Sequence, residues 1–196
     1  MKTLLYIDCC IRGSISRTRK LGESFLSTVS KRNEYDIHRL FLPEEGLSCF
    51  TGSFFERRQS LLEEGDLFHP RFRYAHQFAD ADRIVIAAPY WDLTFPALLK
   101  IYIENVNVDG ITFRCDANGV HGLCKADKML FLTTRGGACG GTRQDVGSVY
   151  LDEFRKYVGI RFFTCIAADG IDLGVEPPDV ILRQAILEAQ HEAGTF

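Results

Sequence analysis

The stretch "TLLYIDCCIRGSISRTRKLGESF", residues 3–25, decides the fold. Its opening "TLLYID" (residues 3–8) is apolar without alternation, the pattern of a strand covered on both faces rather than one facing water. From Leu21 the spacing changes. Leu21, Phe25, Leu26 and Val29 recur at i, i+4, i+5 and i+8, which places them on one stripe of a helix. A buried strand, a short polar loop and a helix make the repeating unit of a parallel α/β sheet.

Working outward, the same run of buried-strand residues returns in "RIVIAAP" (83–89), "KMLFLTT" (128–134) and "RFFTCIAA" (161–168), with a weaker alternating run, "YDIHRLFL" (35–42), suited to a strand nearer an edge. Five strands are expected. Helical segments fall between them: a stripe through Leu98, Ile101, Tyr102 and Asn105, then "VGSVYLDEFRKYVG" (146–159) and "PPDVILRQAILEAQ" (177–190). Gly159 supplies a helix stop, and the prolines stand where a helix start tolerates them. Residues 43–82 hold only helical or irregular sequence and are expected to pack over one face. The alternation implies right-handed crossovers in a doubly wound parallel sheet of order 2-1-3-4-5 with helices on both faces. Such a sheet places its ligand beyond the carboxyl ends of strands 1 and 3, where the first loop lies.

Composition narrows the function. The 196 residues are 46% hydrophobic and 25% charged, as expected of one domain spanning 1–196. A net charge of −3 with scattered arginines gives no footprint for nucleic acid. Seven cysteines, none in a C-x-x-C pair, suggest neither a disulfide framework nor a zinc site, and fit a reducing cytoplasm. No apolar run approaches the ~18 residues that a membrane span needs.

Because the first loop leaves a strand and opens a helix, its backbone N–H groups and the positive helix end suit an anion. Ser14, Ser16, Arg17 and Thr18 add donors that suit a phosphate monoester. Neither a P-loop nor a G-x-G-x-x-G fingerprint is present. A cysteine-phosphatase loop has the pattern C-x5-R-[ST], whereas Cys10 and Arg17 enclose six residues, which moves the arginine off the phosphate. The other reading of Cys9 and Cys10 is that they are small apolar residues ending a strand. Strands 3 and 4 deliver "PYWDLTFP" (89–96) and "TTRGG" (133–137) to the same rim. Tyr90 and Trp91 offer flat apolar surface, and Arg135, Gly136 and Gly137 offer charge and accessible N–H groups, a match to a planar ring carrying a phosphate. Taken singly, the aromatic pair also reads as core and the Gly-Gly as a turn.

These blocks carry a family resemblance. Ser16 to Thr18, "APYWDLTFPALLKIYIE" (88–104), "GITFR" with "NGVHGL" (110–123), "TTRGG" and the late "GI…AADGI" (159–171) resemble the FMN-dependent NAD(P)H oxidoreductases of flavodoxin-like fold, most closely the FMN-dependent NADH azoreductases, which also act as quinone reductases. The resemblance implies FMN, a homodimer, and a cofactor site formed by Cys10, Ser16, Arg17 and Thr18 at the phosphate, Pro89, Tyr90, Trp91, Asp92 and Leu93 beside the isoalloxazine, and Thr134, Arg135, Gly136 and Gly137 at its polar edge. Cys10 stands where the family usually has serine, Asp92 replaces a common asparagine and Leu93 a common phenylalanine. An acceptor-only carboxylate at 92 would disfavour an anionic reduced flavin.

The implied reaction is ping-pong hydride transfer, from NADH or NADPH to FMN and then to a planar quinone, azo or nitroaromatic acceptor, with no side chain as nucleophile. His121 reads as a solvated loop histidine, with proton donation to the acceptor as its other reading. The aromatics of residues 43–75 read equally as core or as partner and substrate surface. Two other readings compete: a flavodoxin-type electron carrier, for which −3 is not acidic enough and the chain is long, and phosphatase or arsenate-reductase-like chemistry at Cys10.

Overall fold

The computed structural model describes residues 1–196. Five parallel strands, β1 (Lys2–Asp8), β2 (Tyr35–Phe41), β3 (Arg83–Ala87), β6 (Lys128–Thr134) and β7 (Phe162–Ala168), form one sheet in the order β2-β1-β3-β6-β7. That is the 2-1-3-4-5 order expected from the sequence. The hairpin β4 (Phe113–Asp116) and β5 (Gly119–Gly122) pairs only with itself. Its strands are only four residues each and almost wholly exposed, with Phe113 alone half-buried against Tyr157, so the hydrophobic pattern was too short to announce it.

The continuous apolar runs are explained by two separate cores. Leu5 and Ile7 of β1, Ile84 and Ile86 of β3 and Phe131 of β6 face α3 (Arg73–Asp80), α4 (Ala97–Val106) and α5 (Val146–Tyr157), meeting Phe78, Leu99, Tyr102 and Leu151. Leu4, Tyr6, Val85 and Leu130 face α1 (Arg17–Ser30) and α6 (Pro178–Thr195) on the opposite side. Fully burying each such side chain contributes about 1.5–3 kcal/mol, so both faces hold the sheet and a charge inserted in any central strand would unfold it. Ala185, Ala189 and Ala193 keep α6 close to α1, and Phe25 meets Phe196 edge-on at 5.2 Å. Gly22 lets α1 approach β1 so closely that a Cβ there would lie 2.0 Å from the Tyr6 hydroxyl.

The segment 43–82 forms α2 (Gly52–Glu63) and α3, and its aromatics divide between the core and the surface. Tyr74 and Phe78 enter the main core and Phe72 a smaller one beneath α2, whereas Phe68 is 90% exposed. At the carboxyl edge the ladder runs past the strand ends. Cys9 N–H donates to Ala87 O, Ala88 N–H to Leu132 O and Tyr90 N–H to Thr134 O. These bonds fix the first residues of three loops beside one another.

Candidate functional site

Loops after β1, β3, β6 and β7 enclose a cleft of about 140 Å³ at the switch point of the sheet. Nine of the residues expected at the site line it: Ser16, Arg17, Thr18, Pro89, Tyr90, Trp91, Thr134, Arg135 and Gly136. Arg12, Ile171 and Asp172 line it as well. Arg12 belongs to the same first loop as Ser14, Ser16, Arg17 and Thr18. Ile171 and Asp172 come from the β7–α6 loop, which no phosphate or aromatic motif marks.

The first loop is built on buried polar contacts. Asp8, 4% exposed, accepts the Cys10 N–H at 2.8 Å and faces Arg19 Nε at 3.2 Å, which closes the turn after β1. Ser16 caps α1, its hydroxyl accepting Arg19 N–H at 3.3 Å. The first-turn N–H groups of Arg17 and Thr18 have no acceptor within the chain and face the positive end of the helix toward the cleft. The hydroxyls of Thr18 and Thr134 share a hydrogen bond of 2.6 Å, tying α1 to the end of β6.

Cys10 departs from the expected arrangement. Its thiol is fully buried among the residues between the sheet and α1, 3.7 Å from Ala87 O, beneath the cleft rather than in it. Burial, reinforced by the Asp8 carboxylate, pushes the thiol well above its usual range. A protonated, enclosed sulfur cannot attack a phosphate, so the phosphatase reading fails here. Strand register places the side chain on the core face, where small apolar character is what matters.

Arg135 also departs from the expected arrangement. Its backbone lines the cleft, but its guanidinium is 2% exposed and turned away from it. There Nη2 donates to Asp145 Oδ1 at 2.7 Å and to Ser148 Oγ at 2.9 Å, while Nη1 lies 3.6 Å from Asp169 Oδ1. Asp145 caps α5, and Asp169 accepts the N–H groups of Cys139 and Gly140. The charge that the sequence offered to a ligand is therefore neutralised by two carboxylates, and it pins both halves of the loop 136–145. What this loop offers the cleft is backbone: the Gly136 and Gly137 N–H groups have no acceptor within the chain. Gly137 itself sits just outside the cleft lining.

The third loop supplies the aromatic wall. Tyr90 hydroxyl donates to Gln144 O at 2.9 Å, joining this loop to the previous one. Trp91 and Thr94 exchange both backbone hydrogen bonds, at 3.2 and 2.8 Å, across a two-residue turn in which Asp92 has φ 47° and Leu93 φ 71°. Neither Asp92 nor Leu93 lines the cleft. Both stand on its rim, with Trp91 41% and Leu93 51% exposed. His121 is exposed, 3.1 Å from Asp116 Oδ1, on the hairpin that packs against Gly159 before β7, at the sheet edge opposite the cleft. The proton-donor reading of His121 gains no support within one chain.

A flat apolar wall, unpaired N–H groups on two sides and a helix N-terminus suit a planar molecule with an anionic tail. The Flavodoxin_2 family model, described as flavodoxin-like fold, matches residues 2–192. The chain is 36% identical over its full length, and that of the relative, to "FMN-dependent NADH:quinone oxidoreductase 2" of Clostridium acetobutylicum. It is 38% identical, over 88% of each chain, to "FMN-dependent NADH:quinone oxidoreductase" of Clostridium perfringens. Among solved structures it is similar in fold to an azoreductase of Bacillus anthracis, with a TM-score of 0.86, 24% identity and full coverage of both chains. The fold, the cleft at its switch point and these likenesses agree: the chain belongs to the Flavodoxin_2 family of flavodoxin-like proteins.

Proposed function

We propose that the 196-residue chain acts as one FMN-binding domain and is an FMN-dependent NAD(P)H oxidoreductase that reduces planar quinone or azo acceptors. The observation that carries this reading is the set of four N–H groups without acceptors, at Arg17, Thr18, Gly136 and Gly137, around a cleft walled by Tyr90 and Trp91. The named activity of the relatives supports it.

In this reading the α1 terminus, Ser16 and Thr18 hold the phosphate. Pro89, Tyr90 and Trp91 lie along the ring system, and Gly136 and Gly137 N–H groups donate to its polar edge, where a side chain at 136 would collide with Asp172. When bound, FMN would supply the redox chemistry, carrying a hydride equivalent (two electrons and a proton) from a nicotinamide to the acceptor, whose second proton comes from solvent. The protein's own part is placement. Thr134 holds Thr18, Arg135 holds the loop that carries the glycine donors, and Tyr90 is committed to Gln144 rather than to proton transfer. Trp91 and Leu93 leave an apolar shelf beside the cleft, and Gly147 at the start of α5, between the exposed Val146 and Val149, packs on Thr94 of the same turn, so this face is suited to a second planar molecule or to a partner subunit. Assembly as a homodimer is part of the proposal, with light scattering as its test. No helix is long and apolar enough to cross a membrane, and all seven cysteines are free, which supports a cytoplasmic setting.

The kinetic test is the initial rate of FMN-loaded protein with varied NADH at several fixed concentrations of a soluble benzoquinone, repeated with NADPH. Parallel double-reciprocal lines are expected, since one cleft serves donor and acceptor in turn. Intersecting lines, or rates independent of FMN, overturn the reading.

A further inference from the structure

Arg17 was expected to face a phosphate, yet its guanidinium already has an anionic partner. Nη1 donates to Asp172 Oδ1 at 2.8 Å. The carboxylate reaches it from the opposite wall. Asp172 N–H donates to Gly136 O at 3.0 Å, and a Cβ built on Gly136 would lie 2.8 Å from Asp172 Oδ2. The side chain therefore starts beside the β6 loop and ends at the first residue of α1, crossing the cleft that both residues line.

A carboxylate and a phosphate monoester are alternative ligands for one guanidinium. We propose that Asp172 is an anion-mimicking latch: its carboxylate and the phosphate of FMN compete for the Arg17 guanidinium, and the phosphate displaces it on binding. The inference rests on the FMN reading above and goes beyond it, because it assigns Asp172 control over how strongly the phosphate contributes to binding. With side chains 43% and 64% exposed, the pair is of the surface kind, held by little energy and easily exchanged. Arg12, the other cation of the cleft, makes no ion pair, while Arg135 is neutralised by Asp145 and Asp169. The fixed charge presented to a phosphate is then that of Arg12 and Arg17 less that of Asp172, one positive charge, and removing the carboxylate doubles it. A unit charge within ~8 Å of a dianion, screened by water and salt, changes affinity about 3- to 10-fold.

The test is titration of full-length, flavin-free protein with FMN and separately with riboflavin, which has the ring without the phosphate, read by quenching of flavin fluorescence. Asp172→Asn is expected to tighten FMN about 3- to 10-fold while leaving riboflavin within about twofold, and the gain should shrink in high salt. Asp172→Ser should act in the same direction, and in an Arg17→Gln background, where there is no ion pair to displace, either gain should shrink to the through-space repulsion alone; a gain as large as in the Arg17 protein overturns the latch. Unchanged or weaker FMN binding, or an equal shift for both flavins, overturns the latch. If wild-type protein binds neither flavin, the FMN reading falls and the latch with it; if wild type binds FMN and Asp172→Asn does not alter the ratio, only the latch falls.

Discussion

Replacing Arg135 with methionine separates a structural guanidinium from a ligand-binding one. The side chain is 2% exposed, and its loss leaves Asp145 (12% exposed) and Asp169 (29% exposed) facing a site with no cation. Breaking a buried ion pair from one side costs about 3–5 kcal/mol. Methionine refills most of the arginine stem, and Asp169 keeps its bonds from Cys139 and Gly140, so the low end applies, ~3 kcal/mol. For a chain of this size that lowers Tm by roughly 6–12 °C, a large part of an ordinary stability of ~5–15 kcal/mol but not all of it. Urea unfolding of the flavin-free protein, followed by circular dichroism, measures the loss directly. Arg135→Lys, which keeps the charge without the planar fork, should recover only part of it. Titration with FMN and riboflavin supplies the second reading: both should weaken together, because the loop presenting Gly136 and Gly137 loosens while no phosphate contact is removed. A loss below ~1 kcal/mol, or a weakening confined to FMN, refutes the assignment of Arg135 as a clamp beneath the site.

Cys10→Ser should cost about 1–2 kcal/mol, from burying a hydroxyl in an apolar setting, and leave FMN-dependent turnover near wild type; abolished turnover in a folded variant would return the thiol to the chemistry. Leu93 holds φ 71° in a two-residue turn of the kind that favours glycine at this place, so Leu93→Gly should stabilise the protein by about 1 kcal/mol, raising Tm by ~2–4 °C; a lower Tm would mean that the leucine side chain, not the backbone, decides the turn. Asp82 accepts Thr3 N–H at 2.8 Å and pairs with Lys125 at 2.9 Å, and these hold its carboxyl below the usual range, the Thr3 bond first. A folded-state pKa below the unfolded value of ~3.9 contributes stability above that pH and loses it as pH falls through the folded value. Asp82→Asn should therefore be less stable than wild type at neutral pH, with a gap that narrows below about pH 4, and a gap constant with pH would contradict the assignment.

The main sheet was legible because its central strands β1, β3 and β6 are buried on both faces, so Leu4 and Leu5, or Ile84 and Val85, had to be apolar in succession, while the edge strand β2 showed only a weak alternation. Strand order then placed the loops at one edge. The β4–β5 hairpin escaped because nothing in it is buried enough to force a pattern, although Asn118 in its turn and Gly119 directly after it were turn signals. At the site, residue type was legible and side-chain direction was not. Whether the Arg135 guanidinium meets a ligand or Asp145 and Asp169 depends on contacts 10 and 34 positions along the chain, which no local motif contains. Cys10 follows the same logic, its fate decided by whether the strand-end register points it down into the core or up into the loop. Asp172 follows the quoted "AADGI" by one residue, and only the crossing of the cleft by its ion pair with Arg17 makes it part of the site.

The proposed function depends on the cleft holding FMN and on a nicotinamide reducing it there. The visible absorbance spectrum of FMN-reconstituted protein, recorded anaerobically before and after NADH, tests this with no acceptor present. A bound-flavin band that NADH bleaches fully, without a long-lived semiquinone, and that returns when a quinone is added is the predicted result. A bound flavin that neither NADH nor NADPH reduces would make the protein an electron carrier, and a spectrum with no bound flavin would contradict the account at its base.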